Sequence, residues 1–146
     1  MDFAVVIGFY SLVSLPNIAT FAHRKIKLME MNHTREEKIE AFGRLLDVLD
    51  ELRVKCPWDR KQTNESLRPN TIEEVYELCD ALMKDDKKNI CKELGDVLLH
   101  VVFYAKIGSE TGDFDIKDVC DKLCDKLIFR HPHVFGEVKA DTAEQV

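Results

Sequence analysis

Between Thr34 and Arg130 the large apolar residues return at steps of three and four and never alternate at steps of two, so the chain must fold as helices packed through one face each. Thr34 followed by Glu37 is a capping-box pair, and Ile39, Phe42, Leu45, Leu46, Leu49 and Leu52 behind it predict a first helix to about Arg53. Cys56-Pro57-Trp58-Asp59 breaks the period, and a polar stretch follows through Pro69 and Asn70. Thr71, paired with Glu74, is the expected cap of a second helix to about Met83, with Ile72, Val75, Leu78, Ala81 and Leu82 on or near its apolar side. After a turn at Asp85-Asp86-Lys87-Lys88, a third helix is predicted from about Asn89 to Glu110, its stripe made of Leu94, Val97, Leu98, Val101, Val102 and Ala105. Gly112 ends it. Asp115 caps a fourth helix with Ile116, Val119, Leu123 and Leu127 on its core face, which stops at Arg130-His131-Pro132-His133. The expected fold class is therefore all-α, a four-helix bundle.

A chain of 146 residues can bury one real core, and 45% hydrophobic with 33% charged residues is the balance of a globular protein. A net charge of −6 excludes a non-specific nucleic-acid binder, which needs a basic footprint. An acidic protein that handles phosphates needs metal ions or a few placed Lys and Arg residues. Five cysteines without a CxxC pair point to a reduced, cytoplasmic compartment. The uncharged run from Phe3 to Ala22, followed by His23, Arg24, Lys25 and Lys27, has three readings: a start codon assigned too early, a membrane anchor, or an extra packing helix. Of these the early start is preferred, and a membrane association is expected only if residues 3–22 are a true anchor. The domain boundaries follow: an apolar extension over 1–30, a helical domain over 31–138, and a polar tail over 139–146.

Glu73, Glu74 and Glu77 fall on the second predicted helix, and Glu93 and Asp96 on the third. Residues three apart share a helix face, so Glu74 with Glu77 and Glu93 with Asp96 each make a two-carboxylate patch. Packing the two helices antiparallel through the apolar residues beside those patches brings four carboxylates to one edge of the interface. Such a cluster repels itself, raising the pKa of its members, until a hard cation such as Mg²⁺ bridges it. Solvated helix faces carry the same residue types, and Glu74 has a competing role as the capping partner of Thr71, so the acids alone leave both readings open.

Four ordered motifs add to this. Cys56-Pro57-Trp58-Asp59 with Gln62-Thr63 and Ser66-Leu67, then Glu73-Glu74-Val75-Tyr76-Glu77 with Asp80-Ala81, then Glu93-Leu94-Gly95-Asp96-Val97-Leu98-Leu99, then Arg130-His131-Pro132-His133-Val134-Phe135-Gly136 resemble the MazG family of nucleoside triphosphate pyrophosphohydrolases. The resemblance covers roughly residues 36 to 138. It implies an all-α pyrophosphohydrolase fold assembled as a dimer or higher oligomer, with Mg²⁺ (Mn²⁺ as a substitute) held by Glu74, Glu77, Glu93 and Asp96. Glu73 is then a supporting ligand or the group that orients water. The implied reaction converts a nucleoside triphosphate to a nucleoside monophosphate and pyrophosphate, with water as nucleophile and no covalent role for a cysteine. Many members carry two such domains, and the Arg130-to-Gly136 motif marks the first. A non-catalytic domain that binds metal or nucleotide and serves assembly or regulation is thus the alternative. Lys92 stands where the family often has an acid, a change expected to alter charge near the site rather than abolish metal binding.

The candidate substrate contacts come from position. Lys126, Arg130, His131 and His133 sit at the end of the fourth helix and in the loop after it, suited to β- and γ-phosphates or simply to the helix dipole. Trp58, the only tryptophan, either stacks on a base or plugs the core. Asp59 and Gln62 are weaker candidates for sugar or base contacts. His100, beside Val101, reads as structural.

Overall fold

The computed structural model describes residues 33–143, which contain no strand. The run from Phe3 to Ala22 lies outside them, and none of the described helices is long and apolar enough to cross a membrane. The chain divides into two compact units, one ending at Gly43 and one beginning at Arg44. The described part of the first is the start of helix α1 (Arg35–Lys55). There the Thr34 N–H donates to Glu37 Oε2 at 2.6 Å and the Glu37 N–H to Thr34 Oγ1 at 3.2 Å, the reciprocal pair predicted from sequence. The backbone donor at Thr34 holds the Glu37 carboxyl below its ordinary value.

The second unit holds the rest of α1, a 3₁₀ turn at Asp59–Lys61, and helices α2 (Asn64–Met83), α3 (Lys87–Thr111), α4 (Ile116–Arg130) and α5 (Pro132–Phe135). Helix α2 starts seven residues before the expected Thr71, because Thr63 is its cap. Thr63 Oγ1 accepts from the Ser66 N–H at 3.2 Å, and Ser66 Oγ accepts from the Thr63 N–H at 2.9 Å. Pro69 lies inside the first turns of this helix and removes the donor that would have met the Glu65 carbonyl. Helix α3 is capped by Asp86, which accepts from the Asn89 N–H, and ends at Gly112, whose φ of 74° is a left-handed conformation that suits glycine. Asp115 caps α4 as predicted, and Asp118 completes a capping box with it, each accepting the other's backbone N–H. The corner before α4 depends on Gly108: a Cβ there would meet the Phe114 ring at 2.8 Å.

Helices α2 and α3 pack side by side across a tight turn at Lys84, Asp85 and Asp86, the short connection typical of antiparallel neighbours. Leu49, Leu67, Ala81, Val102, Phe103 and Ala105 form the buried apolar core. Burial of Leu49, Leu67 and Val102 contributes about 1.5–3 kcal/mol each.

The seam between α2 and α3 differs from the expected one. Val75, Leu94, Leu98 and Val101, read from sequence as facing inward, are exposed. Leu78, Ala81 and Val97 are covered as expected, but the other covered positions are Thr71 and Glu74 on α2 and Glu93, Asp96, His100 and Tyr104 on α3. Polar groups occupy the covered line because they satisfy one another: Thr71 Oγ1 donates to the Leu67 carbonyl and lies 2.9 Å from His100 Nδ1 and 2.6 Å from the Tyr104 hydroxyl. No buried side-chain polar atom lacks a partner among the described residues. Helix α4 likewise has no buried residue. Ile116 and Val119 are half-buried, while Leu123 and Leu127, assigned to its core face, are exposed.

Candidate metal and phosphate site

The capping box at Thr63 frees Glu74 from the capping role considered for it and leaves its carboxylate on the face turned to α3. One turn on, Glu77 shares that face. Glu93 lies across the seam on α3 and is only 5% exposed. One oxygen from each of Glu74, Glu77 and Glu93 comes within 4.8 Å of the other two. Asp96 follows Glu93 by three residues and is half-buried, and its charge acts on Glu74. The structure thus brings together three of the four carboxylates expected as ligands, while Asp96 stands outside the trio and pairs with Lys92. Glu73 points elsewhere on α2 and is exposed.

Burial raises the Glu74 carboxyl above its ordinary value, and the charges of Asp96, Glu77 and Glu93 add to the effect while Lys92 opposes it. Lys92 is the cation that sequence reading assigned only a secondary effect. Its Nζ donates to both Glu93 oxygens, at 2.9 and 3.0 Å, and lies 3.1 Å from Asp96 Oδ2. These bonds raise the ammonium above the usual lysine range. An all-carboxylate donor set matches the preference of Mg²⁺ and Mn²⁺ for hard oxygen ligands. Oxygens of the trio within 4.8 Å of one another are close enough to share one such ion.

A cleft of about 440 Å³ opens from this cluster, bordered by Tyr76, Glu77, Asp80, Lys84, Asn89 and Glu93. Lys84 brings a cation to its rim, paired with Asp80 at 2.6 Å. Of the residues singled out as phosphate contacts, Lys126 and Arg130 are exposed on α4 and pair with no carboxylate among the described residues. His131 Nδ1 lies 2.6 Å from the Leu127 carbonyl, and its ring stands 5.5 Å from that of His133. No hydrogen bond or ion pair among the described residues joins these four to the carboxylates.

Trp58 is 57% exposed, so it does not plug the core of this unit. Gln62 is engaged locally: its amide donates to the Trp58 carbonyl at 3.0 Å and accepts from Ser66 Oγ at 2.7 Å. Sequence reading missed what holds this segment. Arg53 donates to the Asp59 carbonyl and, at 3.1 Å, to the Gln62 carbonyl. Its other nitrogens grip Glu110 at 2.7 and 2.8 Å, and its guanidinium lies 5.6 Å from the centre of the Phe103 ring. The partners lie on the 3₁₀ turn and its cap and on α3, so no local pattern announces the clamp.

A family described as the MazG nucleotide pyrophosphohydrolase domain matches residues 62–135. A nucleoside triphosphate pyrophosphohydrolase of Escherichia coli is 44% identical over 108 residues, which are 72% of this chain and 41% of that protein. A nucleoside triphosphate pyrophosphohydrolase/pyrophosphatase MazG of Thermotoga maritima is 52% identical over 98 residues, 66% of this chain and 38% of that protein. The chain therefore spans about two fifths of the length of these relatives. Among solved structures, a mazG-related protein from Thermotoga maritima superposes with a TM-score of 0.61 at 29% identity, covering 70% of this chain and 90% of that one.

Proposed function

Because this chain belongs to the MazG nucleotide pyrophosphohydrolase family, we propose that it hydrolyses nucleoside triphosphates to nucleoside monophosphates and pyrophosphate with a divalent cation at the Glu74, Glu77, Glu93 and Asp96 carboxylates. The observation that carries the reading is the convergence of three carboxylate oxygens from two helices on one point beside an open cleft. Bound there, Mg²⁺ or Mn²⁺ supplies neutralisation of the triphosphate charge and acidification of water.

The chain's own groups do the positioning. Water adds to the α-phosphorus, the bond to the bridging oxygen breaks, and pyrophosphate leaves with that oxygen. A carboxylate of the cluster takes the water's proton. Glu74, on the face turned to α3, is placed for that role, whereas Glu73, exposed elsewhere on α2, takes no part in it. Lys126, Arg130, His131 and His133 meet the β- and γ-phosphates; Lys126 and Arg130, exposed and paired with no carboxylate among the described residues, support that role. Trp58 offers a solvent-facing ring for base stacking, with Asp59 and Gln62 fixing its segment through the backbone. The exposed Val75, Leu94, Leu98 and Val101 support assembly as a homodimer or higher oligomer, since they form an apolar stripe left uncovered among the described residues.

The test is pyrophosphate release from a panel of nucleoside triphosphates with and without Mg²⁺, beside a Glu74→Gln, Asp96→Asn double variant. Metal-dependent release lost in the variant is the expected result. Nucleotide binding without turnover would instead assign this chain, which spans 41% of its Escherichia coli relative, to a binding or regulatory role.

A further inference from the structure

Resting on that reading of the carboxylates, we propose that Lys92 is a built-in, displaceable counter-ion that occupies the Glu93 and Asp96 oxygens in the metal-free protein and competes with the divalent cation for them. The geometry comes from two contrasts. Glu93 is buried, its side chain 7% exposed, whereas the Lys92 side chain that neutralises it is 60% exposed. The ammonium can therefore leave without disturbing any packed surface, while the carboxylate cannot follow it into water. The second contrast is in donors and acceptors. Lys92 spends its three protons on both Glu93 oxygens and on Asp96 Oδ2. Glu74 and Glu77 make no ion pair among the described residues, and their oxygens converge on the same Glu93 carboxylate.

A single ammonium cannot reach all four acids, and it holds the pair on α3 that a metal would need. A hard cation binding Glu93 together with Glu74 and Glu77 therefore arrives on oxygens already engaged by a like-charged group. Lysine suits exchange of this kind, because its head is a compact charge, strongly hydrated, on a flexible stem. Two consequences follow. Lys92 stabilises the metal-free fold by covering the acidic cluster, and it weakens metal affinity by the work of its own displacement. The site thereby stays assembled when metal is scarce and fills only when metal is abundant.

The test uses the full chain stripped of metal, with wild type compared with Lys92→Gln and Lys92→Arg, and with Glu93→Gln as a binding-deficient control. Mn²⁺ binding is read by electron paramagnetic resonance and Mg²⁺ binding by calorimetry; thermal unfolding is followed in chelator. Losing a set of charge-assisted hydrogen bonds from the competitor's side lowers the Mn²⁺ dissociation constant of Lys92→Gln about tenfold, and lowers its unfolding midpoint in chelator, while Lys92→Arg stays near wild type. Binding seen in Lys92→Gln alone supports the proposal in its strongest form. Equal affinities in wild type and Lys92→Gln, or weaker binding in Lys92→Gln, overturn the proposal and leave the metal site standing. Absence of divalent binding in all the proteins overturns both.

Discussion

Arg53→Ala is the substitution whose effect the structure defines most fully. The Arg53 side chain is 12% exposed and Glu110, its partner, is 37% exposed. Truncation leaves the Glu110 carboxylate able to hydrate, so loss of that pair costs no more than about 1 kcal/mol. The carbonyls of Asp59 and Gln62 are different, because their bonds are part-buried and made to a charged donor. Losing the two together costs about 3 kcal/mol, twice the lower end of the range for a charged hydrogen bond. Loss of the guanidinium over Phe103 adds about 0.5 kcal/mol. The expected total is about 3.5–4.5 kcal/mol, a large part of the stability of a domain this size. Urea unfolding measures it as a fall in midpoint at unchanged slope. Trp58, the only tryptophan, lies next to the 3₁₀ turn that Arg53 holds, so its fluorescence anisotropy reports loosening of that turn below the unfolding transition. Arg53→Lys, which retains charge but not the fork, should lose about half as much. A loss below about 1 kcal/mol in Arg53→Ala, with Trp58 anisotropy unchanged, would refute the clamp.

Three further outcomes are expected. Thr71→Val removes the hydroxyl between His100 and Tyr104 and strands two part-buried polar groups, costing about 1–3 kcal/mol in urea unfolding; a neutral result would mean that water replaces the hydroxyl. Arg53 holds the Glu110 carboxyl below its ordinary value of 4.5, so this pair adds stability that is present above that value and lost as pH falls through the lower folded value. Glu110→Gln should flatten the acid limb of the stability profile over that window, and identical limbs would remove the pair from the account. Leu98→Arg, on the exposed stripe of α3, should shift the chain to monomer in sedimentation without changing its helicity; an unchanged mass would place any interface elsewhere.

The sequence by itself determined that the chain is helical, where α1 and α4 begin, where α3 ends, and which acids share a helix face. All of these depend on neighbours within four residues: Thr34 with Glu37, Asp115 with Asp118, the left-handed Gly112, and the spacings Glu74 to Glu77 and Glu93 to Asp96. The start of α2 was local as well but escaped, because Ser66 takes the place of the usual acid in the capping box and Pro69 stands where a helix was thought to break. Only the tertiary structure decided which face of α2 meets which face of α3. Apolar periodicity marks a face that must be covered without saying by what, so the stripe of Leu94, Leu98 and Val101 was taken as the seam when the seam is the polar line of Thr71, Glu74, Glu93 and His100. Thr71 and His100 are tolerated there because they pair across the interface, a property of two helices rather than of one, while Glu93 is neutralised by Lys92 on its own helix. Arg53 is hidden for the same reason: its partners stand at positions 59, 62, 103 and 110, and folding alone brings them around one guanidinium.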